Sequence, residues 1–282
     1  MLKRTLVVDK KRIDELIEQY VPFDEPIPYM TKAKEKIYIY PVLLKNIKEF
    51  ERGQGMLHID KNATASVEII QMSYLKYLYS LFLTFATNGE FSLLMSFQEI
   101  LKICLHFDVP TQKLINFFSL DVPGAVWRRN KKNDIYLDID GTIITSKDFD
   151  DIKRIILYQN IEDYDDRIVN NDVKELYEDY MRLKNKNAIQ VPLEKKILAV
   201  MSETGYKKQE VFNLTIRDFY GLFAIAVDKI DYQIKENARI QGATFKTPPE
   251  HWIIKGKKDK YDEIFTGAKE FTDKISGMSI QR

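Results

Sequence analysis

The chain has 282 residues, 45% hydrophobic and 30% charged, which is enough apolar material for one large or two ordinary domains with a sizeable core. Its 43 basic and 42 acidic residues leave a formal net charge of +1, so no long-range field draws it to nucleic acid or to an anionic membrane. The single cysteine, Cys104, excludes an internal disulfide, and the three histidines, His58, His106 and His251, lack the spacing of zinc ligands.

The opening "MLKRTLVVDKKRIDEL" turns charged too soon for a signal peptide. In "KIYIYPVLL" (36–44), Ile37 and Ile39 alternate with Tyr38 and Tyr40 ahead of Pro41, which predicts a strand. "MLHIDKNATASVEIIQM" (56–72) predicts two strands around the turn "DKNA". Residues 73–87 read as a buried helix. The apolar run 74–95 around it is broken by Lys76, Asn88, Gly89 and Glu90, short of the ~20 clean residues a membrane span needs. A helix is expected over 96–107, with Phe97, Ile100, Leu101, Cys104 and Leu105 on one face and Ser96 and Glu99 as a capping box. Cys104 there is a small core residue. "PTQKLINFFSL" (110–120) is a further short helix.

From Ser146 the pattern is helical almost throughout. Ser146 is the expected N-cap of "SKDFDDIKRIILYQN", whose acids lie in the first turn, where the helix dipole favours them. "NDVKELYEDYMRLKN" puts Val173, Leu176, Tyr177 and Tyr180 on one face. "PLEKKILAVMSETG" runs from Pro192 to a stop at Gly205, and "KKQEVFNL" is a short helix. A long helix follows from Thr215 to Gly242, striped by Ile216, Phe219, Phe223, Val227, Ile230 and Ile234, until "TPPEHWI" ends regular helix. The pattern is that of an α+β protein: a mixed domain with antiparallel strands over 1–145, a mainly helical domain over 146–250, and a polar tail over 251–282.

"IYLDIDGTIIT" (135–145) resembles the nucleophile motif of haloacid-dehalogenase-type phosphatases. That resemblance implies Asp138 as nucleophile, Asp140 as the proton-handling acid, and a bound Mg²⁺. The family places its nucleophile at the end of a fully buried parallel strand and holds the metal with a downstream acidic pair. Here only Ile135, Tyr136 and Leu137 precede Asp138. The acidic pairs Asp150–Asp151 and Asp165–Asp166 follow no glycine and fall on predicted helices. Asp140–Gly141 is also the signal for a two-residue type I′ hairpin turn. It pairs Ile139 with Thr142, Asp138 with Ile143 and Leu137 with Ile144, and it puts Leu137, Ile139 and Ile144 on one face. The hairpin accounts for more of the stretch, and no catalytic residue, metal or cofactor is expected.

Residues 194–223 have the layout of a helix-turn-helix. Lys207, Lys208 and Gln209 are the groups such a motif would present, but Phe212 and Leu214 read as buried, and Asp218, Asp228 and Asp231 would repel phosphates. The basic runs "WRRNKK" (127–132) and "KGKKDK" (255–260) read as solvated loops. Nucleotide-binding and hydrolase motifs are absent from the sequence. Trp252, with His251 beside it, is a candidate partner anchor, since tryptophan is favoured at the centres of interfaces. Phe212 is the third candidate contact.

The stretches "IYIYPVLLKNIKEF", "IIQMSYLKYLY", "DGTIITSKDFDDIKRIILYQN", "SETGYKKQEVFNLTIRDFYGLF" and "YQIKENARIQGATFK", with the later "HW", resemble a family of uncharacterised proteins. These are encoded in the morphogenesis clusters of tailed phages of Gram-positive bacteria. The run from Thr204–Gly205 through Glu210 and Asn213–Ile216 to Phe219 is similar to tail-assembly-chaperone-like proteins. The resemblance implies a non-enzymatic binding role in the host cytoplasm or the virion, with phage tail or neck proteins as partners, no nucleic acid or membrane, and self-association left open.

Overall fold

The computed structural model describes residues 2–59, 61, 66–116, 120, 125–162, 164, 166, 177, 179–182, 186, 190–245 and 247–253. The chain is α+β, 61% helical with two small antiparallel sheets. In order, the elements are α1 (Leu2–Tyr20), β1 (Ile27–Met30), β2 (Lys36–Ile39), α2 (Ile47–Leu57), α3 (Val67–Gln71), α4 (Tyr74–Thr87), α5 (Ser92–Leu105), α6 (Thr111–Ile115), β3 (Trp127–Arg129), β4 (Ile135–Ile139), β5 (Thr142–Ile144), α7 (Ser146–Asn160), α8 (Leu193–Thr204), α9 (Lys208–Phe212) and α10 (Ile216–Ile240). Two compact units share them. One is Met1–Tyr164 with Tyr206–Gly221, and the other is Asp165–Gly205 with Leu222–Arg282. The first turn of α10 thus belongs to the first unit and the rest of that helix to the second. Among the described residues, no helix is long and apolar enough to cross a membrane.

The first unit closes around aromatic side chains. Trp127 is fully buried, and its indole N–H donates to the Leu114 carbonyl at 3.1 Å. Phe82, Phe97 and Tyr79 surround it with ring centroids 5.5–5.8 Å away. Such packing adds to the area that large rings remove from water. Helices α2 and α5 approach closely at Gly53, where an added Cβ would lie 2.6 Å from Cγ1 of Ile100.

Helix α7, expected to open the C-terminal domain, is instead part of this first unit. Its two ends grip the β1–β2 hairpin region by buried polar groups. At the start, Asp148 accepts the Lys32 N–H at 2.9 Å and the Tyr29 hydroxyl at 3.0 Å. At the end, Asn160 accepts the Val42 N–H at 2.7 Å, and the Gln159 amide donates to the Ile39 carbonyl at 3.2 Å. The chain returns to this region once more: Leu44 N–H donates to Leu214 and Ile216 N–H to Val42, both at 2.8 Å.

The hairpin reading of 135–145 is borne out in register. Leu137 pairs with Ile144, Asp138 with Ile143 and Ile139 with Thr142, and Leu137, Ile139 and Ile144 are all buried. Asp140 and Gly141 have φ of 49° and 92°, the two positive values that a type I′ turn requires. β3 completes the sheet on the other side of β4, also antiparallel.

Several local expectations are corrected. The described residues of 56–72 form no strand. Met56 and Leu57 are the buried end of α2, and Ser66 caps α3 by accepting the Ile69 N–H. The apolar residues of α2 recur at helical spacing, and cap and period override β propensity there. Helix α5 begins four residues before Ser96, so Ser96 and Glu99 do not cap it. The N-cap of α7 is Thr145, not Ser146. Its hydroxyl accepts the Asp148 N–H, and the Asp148 carboxylate accepts the Thr145 N–H at 2.9 Å, a complete capping box. The helix over 171–185 and the tail from 254 fall largely outside the described residues. The stripe of α10 buries only Ile216 and Phe219 at its start.

Candidate functional site

Helix α10 is exposed where a stripe of apolar residues would be buried in a closed fold. Val227, Ile230 and Ile234 show 49%, 51% and 64% of their surface to solvent, and Ile225 and Ile240 are exposed as well. Within the second unit α8 meets this helix where Lys229 ion-pairs with Glu203 and where the Lys196 ammonium lies 5.7 Å from the Phe223 ring centroid. Ile197 and Val200 of α8 are buried, whereas Leu198 is exposed. Helical spacing brings Val227, Ile230 and Ile234 together as a contiguous apolar strip on one side of α10.

The helix ends in a Schellman motif. Gly242 has φ of 94°, its N–H reaches the Arg239 carbonyl, and the Ala243 N–H reaches the Ala238 carbonyl at 2.9 Å. This turn directs the chain back along α10. The His251 ring stands edge-on to Tyr232 with centroids 4.8 Å apart and stacks on Trp252 at 5.6 Å. His251 Nδ1 accepts the Ile253 N–H at 3.2 Å, which leaves Nε2 to carry the proton in the neutral ring. Between the helix and the returning segment lies a cavity of about 790 Å³. Asp228, Asp231 and Tyr232 of α10 line one side, and Phe245, Glu250 and Trp252 lie on the other. Pro248 and Pro249 stiffen the returning wall.

The structure thus brings two of the three sequence candidates, His251 and Trp252, to one place with Tyr232, which sequence reasoning missed. Phe212 is elsewhere, half-buried on α9 in the first unit, with the Lys208 ammonium 5.9 Å from its ring centroid. The signal for Tyr232 was present in sequence only as an aromatic among acids on α10. Its pairing with a residue nineteen positions on depends on the Schellman turn.

Asp138 and Asp140 border a second, smaller cavity of about 280 Å³ in the first unit, with Lys113 and Arg128. Asp138 is 3.6 Å from Arg128, and its other oxygen accepts the Gly141 N–H at 3.2 Å. Asp140 pairs with Lys113 at 3.1 Å. Each carboxylate therefore has a cation of its own, and β4 belongs to an antiparallel sheet rather than to the parallel one the phosphatase motif serves.

Compared with known proteins, the chain matches no family model, no curated protein and no solved structure.

Proposed function

We propose that this chain is a non-enzymatic assembly protein of tailed phages that binds a tail or neck component through the exposed strip of α10. The observation carrying the reading is the exposure of Val227, Ile230 and Ile234 on a 25-residue helix. Apolar strips of this kind on a helix dock into grooves or against other helices of a partner, using residues at i, i+3 and i+7 as anchors. The resemblance of the sequence to phage morphogenesis proteins supplies the partner class.

Co-purification of the tagged chain from infected cells tests this. A tail or neck protein, identified by mass spectrometry, is expected to accompany the wild type and to be lost when Ile230 and Ile234 are both changed to aspartate. Recovery of no tail or neck protein with the wild type, or undiminished recovery with the double variant, contradicts the reading. Mass spectrometry of purified particles then separates a helper, absent from the particle, from a neck or tail-completion component present at fixed copy number.

A further inference from the structure

We propose that the cavity between α10 and residues 245 and 247–252 receives the cationic side chain of a basic peptide, an arginine or lysine placed by a protein partner. The wall chemistry selects the charge. Among the described residues, Asp228, Asp231 and Glu250 put three carboxylates around this space, against one ammonium, Lys235, which is engaged by Asp231 at 2.6 Å. An anion entering here meets net repulsion. A neutral apolar group would displace water from charged walls without offering a hydrogen bond in return, which is costly.

The aromatic lining selects an organic cation over a bare ion. Tyr232, Phe245 and Trp252 offer ring surface to the cavity, and His251 braces two of them, edge-on to Tyr232 and stacked on Trp252. Guanidinium and ammonium groups are held by such faces, guanidinium best, because its planar group stacks as well as attracting the ring quadrupole. No set of three carboxylate, thiol or imidazole groups among the described residues converges in a way that would hold a metal ion.

The size fits as well. A cavity of about 790 Å³ is within the range of roughly 300–1,000 Å³ of ligand sites, large enough for a long side chain with its flanking peptide. Pro248 and Pro249 each restrict the backbone of the returning wall, which lowers the ordering cost of binding there. Two acids of the cavity follow members of the apolar strip along α10: Val227 precedes Asp228 and Ile230 precedes Asp231. A partner segment with an apolar face flanked by a basic residue would meet both. The inference does not depend on that partner being a phage protein.

Tryptophan fluorescence of the full chain tests it. Of the two tryptophans, Trp127 is sealed in the core of the first unit and Trp252 lines the cavity, so a change in emission on titration reports on Trp252. The probes are acetylated tetra-arginine and, as charge control, tetra-glutamate peptides, matched for ionic strength. A saturable change with the arginine peptide and none with the glutamate peptide is expected. Trp252→Phe should remove the signal. The double substitution of Asp231→Asn with Glu250→Gln, both at solvent-accessible positions, should weaken binding about tenfold or more while circular dichroism stays unchanged. No saturable change with tetra-arginine, an equal response to tetra-glutamate, or affinity undiminished in the charge variant overturns the proposal.

Discussion

The Tyr29 hydroxyl lies 3.0 Å from a carboxylate oxygen of Asp148, a residue 119 positions later that has no solvent exposure. Asp151 is the second acceptor, at 2.8 Å, and Asp148 also takes hydrogen bonds from Lys32, from the Thr145 backbone N–H and from the Thr145 hydroxyl. Burial, reinforced by the two carboxylates, holds the tyrosine proton far more tightly than in water. This network fastens the first turn of α7 to the β1–β2 hairpin.

Removing Tyr29's hydroxyl tests it. Tyr29→Phe should cost about 1–3 kcal/mol, the range for a lost buried hydrogen bond to a charged group. Asp148→Ala should cost more, because it also removes the capping box and leaves the Lys32 and Thr145 N–H groups unpaired. Urea unfolding of the two variants measures both, and a Tyr29→Phe change within about 0.5 kcal/mol of wild type contradicts the role assigned to it.

The hairpin makes a second prediction. Gly141 is at φ 92°, so Gly141→Val should destabilise by about 1–2 kcal/mol, since a β-branched side chain is strained there. Asp138→Asn keeps an oxygen for the Gly141 N–H and loses only the half-exposed pairing with Arg128, so a loss of about 1 kcal/mol or less is expected. Mg²⁺ should leave both melting curves unchanged. A rise in melting temperature with Mg²⁺ that vanishes in Asp138→Asn would establish a phosphatase-type metal site instead.

Asp24 gives the protein a pH dependence. Burial, then a hydrogen bond with Asp218 and repulsion from its charge, push the Asp24 carboxyl up to about 7, against the opposing pull of Thr215 and Arg217. An unfolded aspartate titrates near ~3.9, so the folded state holds this proton more tightly than the unfolded chain does. The stabilisation is therefore complete below about pH 4 and is lost as pH rises through about 7. Melting temperatures at pH 5 and pH 8 should show Asp24→Asn relatively more stable at the higher pH. A wild type whose disadvantage against the variant does not grow between those pH values contradicts the raised Asp24 carboxyl.

Cys104 is fully buried, and burial pushes its thiol well above the usual range. A thiolate-specific reagent should leave it unmodified in the native protein and label it only on unfolding, because the thiolate is the reactive form. Labelling of the folded protein within minutes would show that the α5 region opens.

Local chemistry was legible in the sequence and distant pairing was not. Asp140–Gly141 specified its turn, and through the turn the register of β4 and β5, because both depend on adjacent residues. Gly205 and the run after Pro192 bounded α8 for the same reason. Asp148, Gln159 and Asn160 read as ordinary polar helix residues, because the hairpin groups they bind lie 116 to 120 positions away. That is why the local pattern groups α7 with the helices after it, whereas its contacts belong to the first unit. The 3.6-residue period of α10 identified an apolar face. A period says nothing of whether another element covers that face, and past Phe219 it is largely left open. Trp252 and His251 were visible as candidates from residue type alone, while their partner Tyr232 needed the Schellman turn.

Ile230→Asp separates a binding role for the open strip of α10, as proposed, from a role in folding. The side chain is 51% exposed, so its replacement should change stability by about 0.5 kcal/mol or less, beyond a few tenths from helix propensity. The measurement is paired: urea unfolding of the purified variant, and its recovery of the tail or neck component from infected cells. The expected outcome is an unfolding midpoint close to wild type together with loss of the partner. A variant that unfolds much more easily, or one that retains the partner at wild-type levels, would contradict it.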